Sequence, residues 1–150
     1  MALQTKFKNI ADNCCLAVSY LYAALDMIAD TEEKNETFLE TTIASVLVAG
    51  LIDDRTVLDK DGFVKDAEAL MNKATGYNYR VEKKRIDSIK ELPEKGYAVV
   101  NFERTSEDGK HVNHWVLFKD RMFLYNSLEK SLCYQYGKPV DARIITLITK

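Results

Sequence analysis

The stretch Cys14 to Ala29, CCLAVSYLYAALDMIA, sets the terms for the rest of the chain, because it is apolar on every side except at Ser19 and Asp26. A helix that is hydrophobic all round must be covered on all sides by other elements. This one is too short, and too closely flanked by charge, to cross a bilayer. Asp12 or Asn13 is placed to cap its first turn, since a short side-chain oxygen there accepts from amides that have no helical partner. Cys14 and Cys15 then fall in that first turn, beside free N–H groups and the positive end of the helix dipole. Both effects favour thiolate over thiol.

A chain of 150 residues with 47% hydrophobic side chains can wrap such a helix in one domain and is short for two. We expect that domain to span residues 1–150. The formal charge of −2, and the lack of any basic run with interleaved aromatics, argue against nucleic acid and anionic membranes as partners. MALQTKFKNIADN has neither the apolar core nor the small-residue cleavage site of a signal peptide. Three cysteines, two of them adjacent, make no disulfide framework, so a reduced, cytoplasmic protein is expected.

Helices come first. After a lead-in with a turn around Phe7 to Ala11, the buried helix should end near Asp30 or Thr31. From Thr37 the residues Phe38, Leu39, Ile43, Val46 and Leu47 recur at helical spacing, with Gly50 as the stop. Asp53 to Gly62 is a polar loop, and Val64 to Ala74 fits a third helix with Ala67, Leu70 and Met71 inward and Gly76 at its end. Strands follow: Tyr77 to Arg85, Tyr97 to Phe102, His114 to Phe118, Met122 to Tyr125, a short one at Tyr134 to Tyr136, and Arg143 to Thr149. Asp87 to Leu92 is a short helix or turn. Helices over about 1–76 and strands over about 77–150 predict an α+β fold, with a buried central helix packed on a C-terminal antiparallel sheet.

Chemistry concentrates in one hairpin. The two histidines are His111, assigned to the turn, and His114, which opens the strand HWVLF; Asn126 follows the partner strand MFLY. A cysteine nucleophile needs a base, and the base needs a third group to orient it. A three-residue loop of Lys119, Asp120 and Arg121 would set His114 opposite Asn126 on one face. A two-residue loop would turn Asn126 to the other face. The three-residue loop is expected. The period of two then puts Val116 and Phe118 on the face of His114, turned toward the buried helix, and Trp115 and Leu117 on the opposite side.

Cysteine at the start of a central helix, His-aromatic on a strand and Asn on the next strand resemble the papain-like cysteine peptidase superfamily. CLAVS at Cys15 to Ser19 is similar to the segment that follows that family's nucleophile, and YNSL at Tyr125 to Leu128 to its Asn-Ser-Trp segment. In size the chain is similar to the compact bacterial branch that includes the double-glycine leader peptidases of bacteriocin exporters. The resemblance implies a papain-like fold and a thiol hydrolase without cofactor. In it Cys15 is the nucleophile, His114 the general base and acid, and Asn126 the orienting residue, and the substrate is a peptide or small amide. Asn9 stands where the family places a glutamine that donates to the oxyanion, a shorter amide with the same donor.

Alternatives stand beside these assignments. Cys14 is the rival nucleophile, its sulfur turned by about 100° around the helix. Cys15 could be a small buried hydrophobe, Cys133 a structural residue and Asn126 a strand-end turn former. Asp59, Asp61, Gly62, Val64 and Glu68 fit an EF-hand loop, but Val57 falls where calcium needs a carboxylate. Cys14, Cys15, His111 and His114 lack the spacing of a zinc site. No metal is expected. A catalytically inactive papain-like scaffold used as a binding module is the main alternative, and an acyltransferase of the same constellation a third.

Overall fold

The computed structural model of the protein describes residues 14–29, 35–126 and 137–149. Asn9, the caps at Asp12 and Asn13, the lead-in turn, Cys133 and the strand expected at Tyr134 to Tyr136 lie outside the described residues.

Helix α1 spans Cys15–Ile28, and Cys14 holds the N-cap position with no side-chain hydrogen bond to the first turn. The helix ends at Ile28, two or three residues before the expected end, and Leu21, Ala23 and Ala24 are completely buried. Its two polar exceptions are both satisfied. Ser19 donates to the Cys15 carbonyl at 2.7 Å, and the Tyr97 hydroxyl donates to the Asp26 carboxylate. Helix α2, Glu36–Val48, starts from Asn35, whose side chain accepts from the Phe38 N–H at 2.8 Å. Leu39, Ile43 and Leu47 recur every four residues and form its buried stripe, whereas Phe38 is turned outward and 45% exposed.

Helix α3 spans Ala67–Thr75, capped by Asp66, which accepts from the Ala69 N–H at 3.0 Å. Val64, expected inside this helix, instead bridges to Leu58, because Val57 and Leu58 are fully buried and pin the intervening loop to the core. Gly76 ends α3 with φ of +80°, a left-handed backbone that an L side chain adopts at a cost. A Cβ there would meet nothing within 4 Å, so strain is the whole effect. Gly76→Ala is therefore expected to lower the stability read from urea unfolding by about 1 kcal/mol, with no change in m-value. A neutral result would mean the backbone relaxes at no cost.

The strands are β1 (Asn78–Arg85), β2 (Tyr97–Thr105), β3 (His111–Lys119), β4 (Met122–Tyr125) and β5 (Lys138–Thr149). They form one antiparallel sheet in the order β1-β5-β2-β3-β4, so the last strand enters between the first two. Helices before a sheet of this kind make the α+β architecture. Between β1 and β2, a short 3₁₀ turn at Ile89–Glu91 is fixed by a capping box of Ser88 and Glu91.

Both faces of this sheet are covered, and that overturns the expected orientation of the hairpin. Tyr79, Tyr97, Val99, Leu117, Tyr125 and Ile145 share one core with the helices, and Trp115 packs against it. Ala98, Val100, Phe102, Val116, Phe118 and Ala142 form a second core on the other face, closed by Ile86 and Leu92. Trp115 and Leu117 thus face α1, and Val116 and Phe118 face away from it. VVNF and WVLF are apolar at both parities. Alternation could not tell which set meets the helix, because each meets a core.

The hairpin turn also differs from expectation. Lys119 pairs with Met122 around a two-residue turn in which Asp120 and Arg121 have φ of 53° and 65°. Positive φ at both central residues marks a type I′ turn. Contacts outside the hairpin hold it: the Gly96 N–H donates to the Asp120 carboxylate at 2.8 Å, and Arg121 Nε donates to the Leu92 carbonyl at 2.7 Å. The register then slips, so that Phe118 faces Phe123 but Leu117 faces Tyr125, leaving Leu124 as a bulge residue. One extra residue reverses the parity of all that follows it. Asn126 returns to the face of His114 by a route the sequence did not suggest.

Candidate active site

Residue 114 is presented by β3 and residue 126 by the end of β4, and the two side chains meet. His114 Nε2 lies 2.6 Å from Asn126 Oδ1. A carbonyl oxygen accepts only, so Nε2 carries the proton and Nδ1 is the nitrogen with a lone pair for other chemistry. The end of β4 is fixed one residue earlier. The Tyr125 ring stacks on Tyr22 of α1 with centroids 4.1 Å apart, and its hydroxyl donates to Glu40 of α2 at 2.7 Å. Burial raises the Tyr125 pKa, and the Glu40 bond and charge raise it further, so this phenol stays a donor at neutral pH.

His114 is only 5% exposed. Burial holds its pKa below the ordinary 6.5, and the Asn126 bond opposes that shift. The ring is therefore neutral near pH 7, the state a base requires. A histidine whose folded pKa is depressed binds fewer protons than it does in the unfolded chain. Its contribution to stability is complete above pH 6.5 and is lost as pH falls from there through the folded pKa. The melting temperature should therefore drop on acidification from about pH 7.5 to about pH 5.5 by more in the parent protein than in His114→Gln, measured by circular dichroism. Equal slopes would show that burial of this ring is not linked to protons.

The adjacent thiols differ. Cys14 is 2% exposed and belongs to the helix-side core; burial, then repulsion from Cys15, lifts its thiol to about 11. The helix start was expected to favour both thiolates. For Cys14 desolvation works against the thiolate that the helix start favours. Cys15 is buried as the first residue of α1. Asp26 meets Tyr97, and Tyr20 reaches Arg143, the β5 partner of Val99. Helix α1 thus runs antiparallel to β2 and starts at the end of the sheet where Phe102 pairs with His114.

His114 and Asn126 are thus brought together, and Cys15 stands at their end of the sheet. The face is not shared, since α1 lies against Trp115 and Leu117 and the His114 ring takes the side of Val116. His111, expected in the turn, is the first residue of β3, with its Nε2 3.0 Å from Glu103 Oε2. In the acidic loop, Asp59 accepts from the Asp61 and Phe63 N–H groups at 2.8 and 3.0 Å. No helix among the described residues is long and apolar enough to cross a membrane.

Sequence reasoning missed a polar group on the helix-facing side of the sheet: Tyr20, Asn101, Trp115, Asp141 and Arg143. One signal was available, a lone amide inside the apolar strand YAVVNF.

No family model matches the chain, and no curated protein does. Among solved structures, the Pseudomonas avirulence protein AvrPphB is similar, with a TM-score of 0.39 and 12% identity. The alignment spans 99% of this chain and 95% of that one.

Proposed function

We propose that the chain is a thiol hydrolase with a papain-like fold, a single domain acting on a peptide or small amide. The observation that carries this reading is the 2.6 Å bond from His114 Nε2 to Asn126 Oδ1, which fixes the tautomer and leaves Nδ1 as the base. Cys15 supplies the nucleophile from the start of α1. Its sulfur attacks the carbonyl carbon, and the thiol proton passes to His114. The imidazolium then protonates the leaving amine, and water releases the acyl group from sulfur. Asn9 is proposed as an oxyanion donor. Reduced cysteines suit a cytoplasmic setting.

A second reading is favoured by the face mismatch: a papain-like scaffold kept as a binding module, with the His114 ring and α1 on opposite sides of the sheet. The pH profile of alkylation separates the two. A thiolate–imidazolium pair keeps reacting with iodoacetamide at pH 6. An ordinary thiol of pKa about 8.5 loses some 300-fold of its limiting rate there. We expect Cys15, followed by mass spectrometry, to lose less than about tenfold at pH 6, while Cys14 and Cys133 lose far more. A full 300-fold loss at Cys15 would leave the binding module.

A further inference from the structure

Strand β5 outruns β2 at the end of the sheet remote from His114. Its pairing with β2 stops at Ile145, opposite Tyr97, whereas its pairing with β1 continues through Leu147. The direction of the leftover backbone groups follows from β1. The Tyr79 and Val81 N–H groups turn outward, to Asn72 Oδ1 at 2.9 Å and Glu68 Oε2 at 2.8 Å. Arg80, between them, therefore turns toward β5, where its partner is Thr146. Leu147, one residue on, points its N–H and C=O the other way, into the side that β2 has left. Strand β2 starts late because Gly96, with φ of +106°, is turned to the hairpin. Its carbonyl accepts from the Asp120 N–H and its own N–H donates to the Asp120 carboxylate, both at 2.8 Å. Pro93 has no N–H to offer. Among the described residues no backbone hydrogen bond joins 93–96 to β5.

The space left is an open groove of about 410 Å³ lined by Met27, Pro93, Lys95, Tyr97, Ile145 and Leu147 among others. That is the small end of the range for ligand sites, about 300–1,000 Å³, and it has room for a short length of chain. An unpaired strand edge is matched by another extended backbone. A segment laid antiparallel to β5, as β1 and β2 are, runs in the direction of β2 and meets the start of that strand, where it has to end. The charge at that end is positive. Lys95 is exposed at the groove, its neighbour Glu94 is drawn to Arg121 at 3.9 Å, and Lys119 Nζ lies 5.3 Å from the Tyr97 ring centroid. A free terminal carboxylate complements both lysines. A residue opposite Leu147 shares its face, so its side chain enters on the helix side, beside Met27 and Tyr97. We propose that this groove binds the C-terminus of an extended peptide, with an apolar last residue paired to Leu147 and its carboxylate at Lys95. The groove lies at the opposite end of β2 from the Phe102–His114 pair and does not rest on the thiol chemistry.

The test titrates the isotope-labelled whole protein with acetyl-Gly-Val-Leu bearing a free C-terminus and follows backbone amide shifts by NMR. The same peptide amidated at its C-terminus, and acetyl-Gly-Val-Ser with a free C-terminus, are run in parallel. Expected is a saturable shift centred on Gly96, Tyr97 and Leu147, with binding of each control peptide weaker by about tenfold or more. Lys95→Glu, an exposed change outside the core, should weaken the first peptide by about tenfold or more. Leu147→Pro removes the donor that faces the groove, spares the N–H groups that pair with β1, and should abolish binding. Both variants are first checked for native circular dichroism, and Lys95→Glu suffices if Leu147→Pro does not fold. The proposal is overturned by shifts that do not saturate or that centre elsewhere, by equal binding of either control peptide, or by undiminished binding in Lys95→Glu.

Discussion

Val116→Asp should leave the chain unfolded at room temperature, with the cooperative transition in circular dichroism lost. Val116 is fully buried in the second core, among Val100, Phe102, Phe118 and Ala142. A carboxylate there replaces a side chain packed among apolar neighbours, and no cationic side chain belongs to that core. It must stay neutral at the cost of a large pKa rise, or bury an unpaired charge. Either route costs several kcal/mol against a total stability of about 5–15 kcal/mol for a domain of this size. Asn126→Ala is the matched contrast. Asn126 is half-buried at a strand end, and its loss removes the hydrogen bond to His114, worth about 1 kcal/mol. It should shift the melting temperature little while slowing alkylation of Cys15. Should both substitutions lower it equally, Asn126 is a structural turn residue and its orienting role fails.

The hairpin shows where the sequence was informative. Element types were legible because each has a local cause: apolar residues at helical spacing from Thr37 make a helix, Gly76 stops one, and β-branched runs make strands. The meeting of His114 with Asn126 was also expected, though by the wrong turn. The type I′ turn depends on Gly96 and Leu92, which are distant in sequence, and the bulge at Leu124 follows from Tyr125 reaching α1 and α2. Local patterning carries no signal for either. The facing of the sheet failed for a related reason. Amphipathic alternation reveals a core only where the other side is wet, and here 86–92 covers the second face. The Asn101 and Asp141 pair is a cross-strand fact, invisible until β5 is known to enter beside β2.

His114→Ala carries the largest expected effect on chemistry. A thiol that has lost its imidazole must reach the thiolate unaided, and near pH 6 only about one in 300 molecules with a pKa of 8.5 does so. Labelling of Cys15 by iodoacetamide at that pH is therefore expected to fall by at least about thirtyfold. His114→Gln, which fills the space better, should fall as far. Stability separates a chemical role from a structural one. Removing a 5%-exposed imidazole opens a cavity, so His114→Ala loses stability by a margin His114→Gln partly restores, whereas neither regains reactivity. His111→Ala is the internal control, since His111 is exposed and its contact is Glu103; it should label at the parent rate. Reactivity that survives in both His114 variants would mean that the sulfur at the start of α1 is not served by the ring across the sheet, and the chain would then be a binding scaffold.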